Sequence, residues 1–560
     1  MAENTGISWA DHTVNFWHGC QKVSEACRFC YAERLDARFH PHPHPMADPG
    51  TSANWGPNAP RLLRVEAATR EAFRYQRRAV KEGRRFRVFT NSMSDFFEDR
   101  RDLDEARFEA FATILRTPHL TWMILTKRPD FMAQWMSDPE TPGRVAQTAD
   151  RQIVAEQIAK MGPERIKPIP AFPGYFVSDR GRVFTGSGSA GCVWCGVEIP
   201  GVAKRKYCSK SCSSKAQYEA SQGRFKEPAG MRPLSPDEVD GGYQRVTLKQ
   251  GDARVREFVH RLVLSVFVRE PSDQEQACHR DGNPSNNALP NLRWGTQSEN
   301  WDDRRRHGKF RAYAKLTQRD VDLVHTLHAD GATNANIASR FDVSETQVRN
   351  ILDGAQWAVD AIEWPLPWVW CGTTAESQEW ADKRVPELLK VPAAVRFLSC
   401  EPLLGPISFR WAPWAHQATG ESYREYLERK GKVNHLESLR GLDWIIAGGE
   451  SGPHARPMHP DWARSLRDQC AEAGVPFHFK QWGEWRPPED GEEYNTAYGR
   501  GGKPPAFLVD HEDGVVRCFY PHNDSALRPD DSPCKPMIRV GVRAASRLLD
   551  GVLHDAVPEA

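Results

Sequence analysis

The chain has 560 residues, 75 Lys+Arg against 74 Asp+Glu and a formal net charge of +1; at about 150 residues per domain it is expected to fold as roughly three or four units. With 39% hydrophobic and 27% charged residues, a mean hydropathy of -0.63 and no apolar run approaching about 18 residues, transmembrane helices are excluded. The first residues, Met1 to Thr13, carry neither a basic stretch nor an apolar one, so no secretory signal is visible and a cytoplasmic protein is expected. The near-neutral total is a cancellation, because residues 163–317 hold 26 Lys+Arg against 17 Asp+Glu and the remainder holds 49 against 57. A basic module inside an acidic host points to a polyanion partner for the middle of the chain.

In chain order, a strand-like run at 13–17 leads into Cys20-x6-Cys27-x2-Cys30. Clustered cysteines in a chain without an export signal read as metal ligands rather than disulfides. Three thiolates suit an iron–sulfur cluster with one open iron, but equally part of a zinc site, or a pair plus a bystander. The alternating His and Pro of 40–45 read as an extended surface loop. Strand-like runs follow at 86–90, which leads into Asn91 and Asp95, and at 120–125, which leads into Lys127 and Arg128.

The basic middle opens with a short strand pair turning at Asp179, Arg180 and Gly181. Cys192-x2-Cys195-x12-Cys208-x3-Cys212 then has paired ligands for a closed, structural zinc site. Lys204, Arg205 and Lys206 between the pairs form either a phosphate-facing finger or a solvated loop. A hairpin over 243–260 with Gly251 and Asp252 at its turn precedes a segment containing Cys278, His279, Asp281, Asn291 and Asn300. Ser298 is expected to cap the basic helix that carries Arg304, Arg305 and Arg306. Residues 316–356 have helix-turn-helix spacing, with a Thr317 cap, core positions Val321, Val324, Leu327, Ile337, Val348 and Ile351, and Glu345, Thr346, Gln347, Arg349 and Asn350 available to a DNA groove. A plain three-helix packing domain has the same pattern.

Beyond the middle, strand-like runs recur at 368–371, 395–399, 444–447 and 476–479, with helices at 377–390 and 460–473. Seven buried runs alternating with helices, without a dinucleotide fingerprint, predict an α/β fold built on a partial or full βα barrel. Polar residues at strand ends line the functional face of such barrels, which adds Glu401, Glu450 and Lys480 to Asn91, Asp95, Lys127 and Arg128 as candidates. Singly, each could equally be a hydrogen-bonded loop cap.

An aromatic, Phe29, immediately before Cys30 resembles the radical S-adenosylmethionine motif, although six residues separate the first two cysteines where that motif has three. Segments 19–34, 91–97, 125–129, 397–406, 448–462 and 539–551 together resemble a phage-associated three-cysteine-motif family of radical-SAM-like proteins. That resemblance implies a [4Fe–4S] cluster on Cys20, Cys27 and Cys30 that binds S-adenosylmethionine, and a TIM-like host. The segment 277–300 resembles the ββα-metal site of HNH homing endonucleases, and 166–183 a motif fused to such nucleases. By that resemblance His279 is the general base, Asn291 orients its imidazole, and Asn300 binds magnesium or another divalent cation. Cys278 stands where relatives place an oxygen ligand, so Asp281 is the substitute ligand considered.

The expected organisation is a barrel over 1–157 and 361–560, interrupted by a nuclease-associated motif (163–185), a zinc site (190–215), an HNH nuclease (241–310) and a helix-turn-helix (314–357). The expected function is a metal-dependent, homing-type DNA endonuclease set in a radical-SAM-like host of unknown substrate. Double-stranded DNA and a separate phage-encoded protein are the expected partners, with no membrane. The alternatives are a DNA-binding protein with a decayed nuclease site and a host inactivated by its insertion.

Overall fold

Seven apolar runs meet in one parallel sheet whose spatial order is the chain order: β1 (His12–Val14), β2 (Phe86–Thr90), β3 (Leu120–Thr126), β4 (Val369–Thr374), β5 (Val395–Cys400), β6 (Trp444–Gly448) and β7 (Phe477–Gln481). The computed structural model describes residues 5–42, 51–162, 164–186, 231–250, 253–307, 323–325, 327–328, 331–341, 343–352, 362–410, 412, 414, 436–489, 506–510, 516–517 and 534–558. Parallel neighbours need long crossovers, and helices supply them. These are α2 (Val65–Glu82) before β2, α3 (Asp104–Leu115) before β3, α5 (Gln378–Leu389) before β5 and α6 (Pro460–Ala473) before β7; the short α1 (Tyr31–Ala37) follows the cysteines and α4 (Pro129–Ser137) follows β3. The α6 boundaries follow from Pro460 at its first turn and Gly474, with φ 72°, just past its end.

The sheet is a half-barrel: among the described residues no ladder joins β1 to β7. Its inward row is apolar, with Phe89, Met123, Trp370, Phe397, Trp444 and Ile446 buried in one cluster around Trp9. The Trp9 ring lies 4.7 Å from Phe89 on β2 and 6.5 Å from Trp444 on β6, so one side chain fills the curve of the sheet. The strand expected at 13–17 is split: His12–Val14 joins the sheet and Trp17–His18 pairs antiparallel with Leu62–Leu63, with the Asn15 carboxamide between them accepting the Met93 N–H at 2.9 Å. At the far edge, Phe479 N–H donates to the His554 carbonyl and the Trp444 indole to that of Ala556, which lays the C-terminal segment along β7. Ser8 hydrogen-bonds Nε2 of the buried His478 at 2.9 Å, linking the segment before β1 to β7.

The chain divides into two compact units, residues 1–141 with 363–560, and 142–362. In the second unit the strands Tyr175–Ser178 and Val183–Gly186 pair antiparallel, as do Tyr243–Gln250 and Ala253–Phe258. Helix Val259–Phe267 packs Val259, Leu262, Val263 and Leu264 into a core with Val177, Val183, Val246, Leu248 and Leu292. Strands Glu275–His279 and Leu292–Thr296 pair antiparallel and lead into helix Gln297–Arg306. That helix is capped two residues earlier than expected: Thr296 Oγ1 accepts the Glu299 N–H, and the Glu299 carboxylate accepts the Thr296 N–H at 2.8 Å. The reciprocal pair satisfies two terminal amides at once, which explains why Thr296 and not Ser298 is the cap. Helices Asn334–Phe341 and Glu345–Leu352 share a core of Val324, Ile337, Ala338, Val348 and Ile351. The four cysteines Cys192, Cys195, Cys208 and Cys212, Lys204 to Lys206 and Thr317 lie outside the described residues.

His478 carries a pH signature. Burial, with Arg547, Arg87 and Lys480 adding to it and Asp555 opposing, holds its pKa down to about 4 from the ordinary 6.5. The unfolded chain therefore binds one more proton than the folded chain between those values, and stability must rise with pH across that window. Urea midpoints measured from pH 4 to 7 should fall on acidification in the wild type and fall less in His478→Gln; equal slopes would show that this histidine is not buried in its neutral form.

Candidate functional site

Because the seven strands are parallel, their carboxyl ends share one side, and the candidates Asn91, Asp95, Lys127, Arg128, Glu401, Glu450 and Lys480 all follow or close a strand there. Asn91 holds a left-handed φ of 58°, and its carboxamide oxygen accepts the Phe16 N–H at 2.8 Å. The loops after β1 and β2 are thereby tied together beneath the cysteines. Asp95, nearly fully buried, is the hub of the next layer: it accepts from Thr126 Oγ1 (2.5 Å), the Lys127 N–H (3.0 Å) and Arg128 Nη1 (2.8 Å). Arg128 continues to the Gln21 carbonyl at 3.0 Å, beside Cys20.

Lys127 donates to Thr374 Oγ1 at 2.7 Å, and Arg384 on α5 donates to Glu376 at 2.9 Å. Burial alone would raise the Glu376 carboxyl, but Lys127, Arg384 and the Ser24 hydroxyl outweigh it and hold it below the ordinary carboxylate range. Glu376 and Arg384 were missed in the sequence. Glu376 stands just past β4, at the offset that singled out the other strand ends, and that signal could have found it. Further round, Lys480 lies 3.3 Å from Glu401, and Glu450 takes both the N–H and the guanidinium of Arg456, which reaches Glu25 between the cysteines. Gly449 and Gly483 are dictated by contact: a Cβ on the first would lie 1.9 Å from the Trp482 carbonyl oxygen and one on the second 2.2 Å from that of Glu450.

Cys20, Cys27 and Cys30 are free and half-buried, and Cys20 and Cys30 pack on the same cluster of Ala32, Trp55 and Met93. Burial pushes the Cys20 thiol up to about 12, with Asp95 adding and Arg128 opposing. Burial also raises Cys30, against the backbone N–H groups of Glu33 and Ala32 at the start of α1. Among the described residues no three His, Cys, Asp or Glu side chains stand in a metal-holding group. The donor chemistry nevertheless fits a thiophilic cofactor: three thiols free of disulfides, helix-start amides directed at one and a guanidinium beside another.

In the second unit His279 is buried at the end of its strand, with Nε2 3.3 Å from Asn287 Oδ1. Its ring stands 5.1 Å from that of His260 and 5.8 Å from Tyr243. The amide that meets the imidazole is therefore that of Asn287, which Gln244 holds at 2.8 Å. Asn291 instead ties the loop, giving its Nδ2 to Asp281 at 2.9 Å and to the Asn286 carbonyl at 2.7 Å. His260, also unforeseen, is lowered to about 3 by burial, then by His279 and Arg261, and stays neutral.

The residues do not fit a magnesium ion. Such an ion needs hard oxygen ligands. Asp281 already accepts from the Asn283 N–H, Asn286 and Asn291, and Cys278 offers sulfur, which leaves of the expected set the carboxamide oxygen of Asn300 alone, its Nδ2 donating to Gln276 at 2.9 Å. Among the basic residues of the helix, Arg304 is exposed and stacks on Trp301, while Arg306 pairs with Asp150 at 3.0 Å. Glu345, Thr346 and Arg349 are exposed on the last helix of the unit; the side chains of Arg305, Gln347 and Asn350 lie outside the described residues.

Among the described residues no helix is long and apolar enough to cross a membrane. No curated protein matches the chain. A solved structure titled "DNA binding and cleavage by the HNH homing endonuclease I-HmuI" is 19% identical, over 34% of this chain and 91% of that one, at a TM-score of 0.18, a likeness too slight to support a reading by itself. A family described as "Protein of unknown function (DUF5131)" matches residues 4–219 and 303–558. That match spans well over half of the sequence, and the chain belongs to the DUF5131 family.

Proposed function

We propose that the chain is a composite: residues 142–362 engage double-stranded DNA on an HNH-type framework, and the half-barrel holds a thiol-ligated cofactor at its strand ends. The observation that carries the first part is the buried His279, paired with Asn287 at the mouth of a ββα unit. An imidazole oriented by an amide is suited to take a proton from water attacking a phosphodiester. The exposed Glu345, Thr346 and Arg349, with Gln347 and Asn350 on the same helix, supply groove contacts, and Arg304 and Arg305 supply phosphate contacts. Cys278 favours a second reading, DNA binding without magnesium-dependent cleavage, since sulfur is a poor ligand for that ion. Cys192, Cys195, Cys208 and Cys212 are the ligands proposed for structural zinc.

For the host, Cys20, Cys27 and Cys30 are the proposed ligands of a [4Fe–4S] cluster, which when bound would supply the electron for cleavage of S-adenosylmethionine. Within that reading Asp95 fixes Arg128 against Cys20. A separate phage-encoded protein remains the partner proposed for the host.

Two outcomes check these halves. Anaerobic reconstitution with iron and sulfide should load about four iron atoms per chain, with broad visible absorption that Cys27→Ala loses; an unchanged spectrum in Cys27→Ala would remove the cluster assignment. Duplex nicking should drop at least about 100-fold in His279→Ala while duplex binding is kept. Nicking that survives the substitution would reject His279 as the base.

A further inference from the structure

By the resemblance to HNH endonucleases, a divalent ion would lie between the residue before His279 and the following helix. In this chain the guanidinium of Arg293 lies there, beside Cys278 and Glu299. Cys278 and Arg293 are direct cross-strand partners. A Cβ placed on Gly295 would come 2.5 Å from Arg293 Nη1, 3.1 Å from Cys278 Sγ and 3.2 Å from Glu299 Oε2, so these three groups converge on one point of the ββα unit. Arg293 Nη2 donates to Asp303 at 2.8 Å, while Nη1 keeps a longer contact of 3.4 Å to Glu299. The helix carboxylates Asp303 and Glu299 thus both pair with Arg293, and Asn300 gives its Nδ2 to Gln276.

We propose that Arg293 is the resident cation of this unit: its guanidinium takes the place of the divalent ion, and the unit engages DNA phosphate without metal. The proposal rests on reading residues 142–362 as a DNA module. A guanidinium presents a fixed fork of N–H donors that matches phosphate oxygens, and it is always charged. A divalent ion set within a few ångströms of it would be repelled, and would find sulfur where it needs oxygen. The side chain of Arg293 retains 20% exposure and that of Glu299 54%, so a phosphate that displaces the exposed Glu299 carboxylate from its 3.4 Å contact would meet Nη1.

The test uses the full chain freed of loosely held metal. Manganese, a hard cation that avoids thiolates, is titrated and followed by electron paramagnetic resonance, and duplex affinity is compared in chelator and in magnesium at matched ionic strength. The wild type should show no manganese site tighter than about 1 mM and should hold duplex equally, within about twofold, in both buffers. Cys278→Asp combined with Arg293→Gln should gain a manganese site at least about tenfold tighter, because it supplies an oxygen and removes the competing charge. A wild-type manganese site below about 0.1 mM that Asn300→Ala abolishes would overturn the proposal, as would a tenfold loss of duplex affinity in chelator. So would a double variant that gains nothing. Failure to bind duplex in any buffer would reject the DNA reading, while the manganese titrations would still decide what occupies the unit.

Discussion

The pairing of β3 with β4 is the contact on which the half-barrel depends. Trp122 to Thr126 lie in register with Val369 to Thr373, and the Thr373 hydroxyl donates to the Thr126 carbonyl across 247 positions of sequence. Closing so long a loop costs little more than closing one half its length, since the entropy grows only with the logarithm of the length. Burial of both strands outweighs it: β3 and β4 are buried almost throughout, and the inner row they share with β2, β5 and β6 closes round Trp9. Without this pairing the first three strands and the last four would each expose an open parallel edge.

The same pairing assembles the strand-end chemistry. Asp95, Lys127 and Arg128 come from the part of the chain before residue 142, and Thr374, Glu376 and Arg384 from the part after 362. The contact of Lys127 with Thr374 joins the two sets into one charged layer under the cysteines. Its anions and cations are matched with little exposure, as at Arg61 with Glu98, whose paired nitrogens and oxygens lie 2.7 to 2.8 Å apart. Removing one partner of such a pair leaves an uncompensated buried charge, which fixes the layer as a unit. In the second unit the corresponding order comes from neutral amides, with Asn286, Asn287 and Asn291 each holding a different part of the His279 loop.

All seven strands were legible because each is a short apolar run ending in a polar residue, a pattern set by burial on both faces of a parallel sheet. The strand-end candidates followed from the same rule. Its one omission was Glu376, hidden because Thr373, Thr374 and Ala375 blur the end of β4. Arg61 and Glu98 could not be read, since nothing local marks two charged residues 37 positions apart as a buried pair. In the second unit the asparagines 286, 287 and 291 look alike along the chain, and only the fold decides that Asn287 meets the imidazole. Ser298 was as good a cap as Thr296 by residue type; the Glu299 carboxylate, which reaches back to the Thr296 N–H, decided between them. Arg293 shows no motif at all, and its meaning arises from lying across from Cys278.

Native-state hydrogen exchange of the β3 and β4 amides tests most directly whether one sheet is built from the two distant segments. If the pairing holds the half-barrel together, amides of 120–126 and 369–374 will exchange together, at the free energy of global unfolding and with the same denaturant dependence. Exchange of 369–374 at a lower free energy, independent of 120–126, would contradict it.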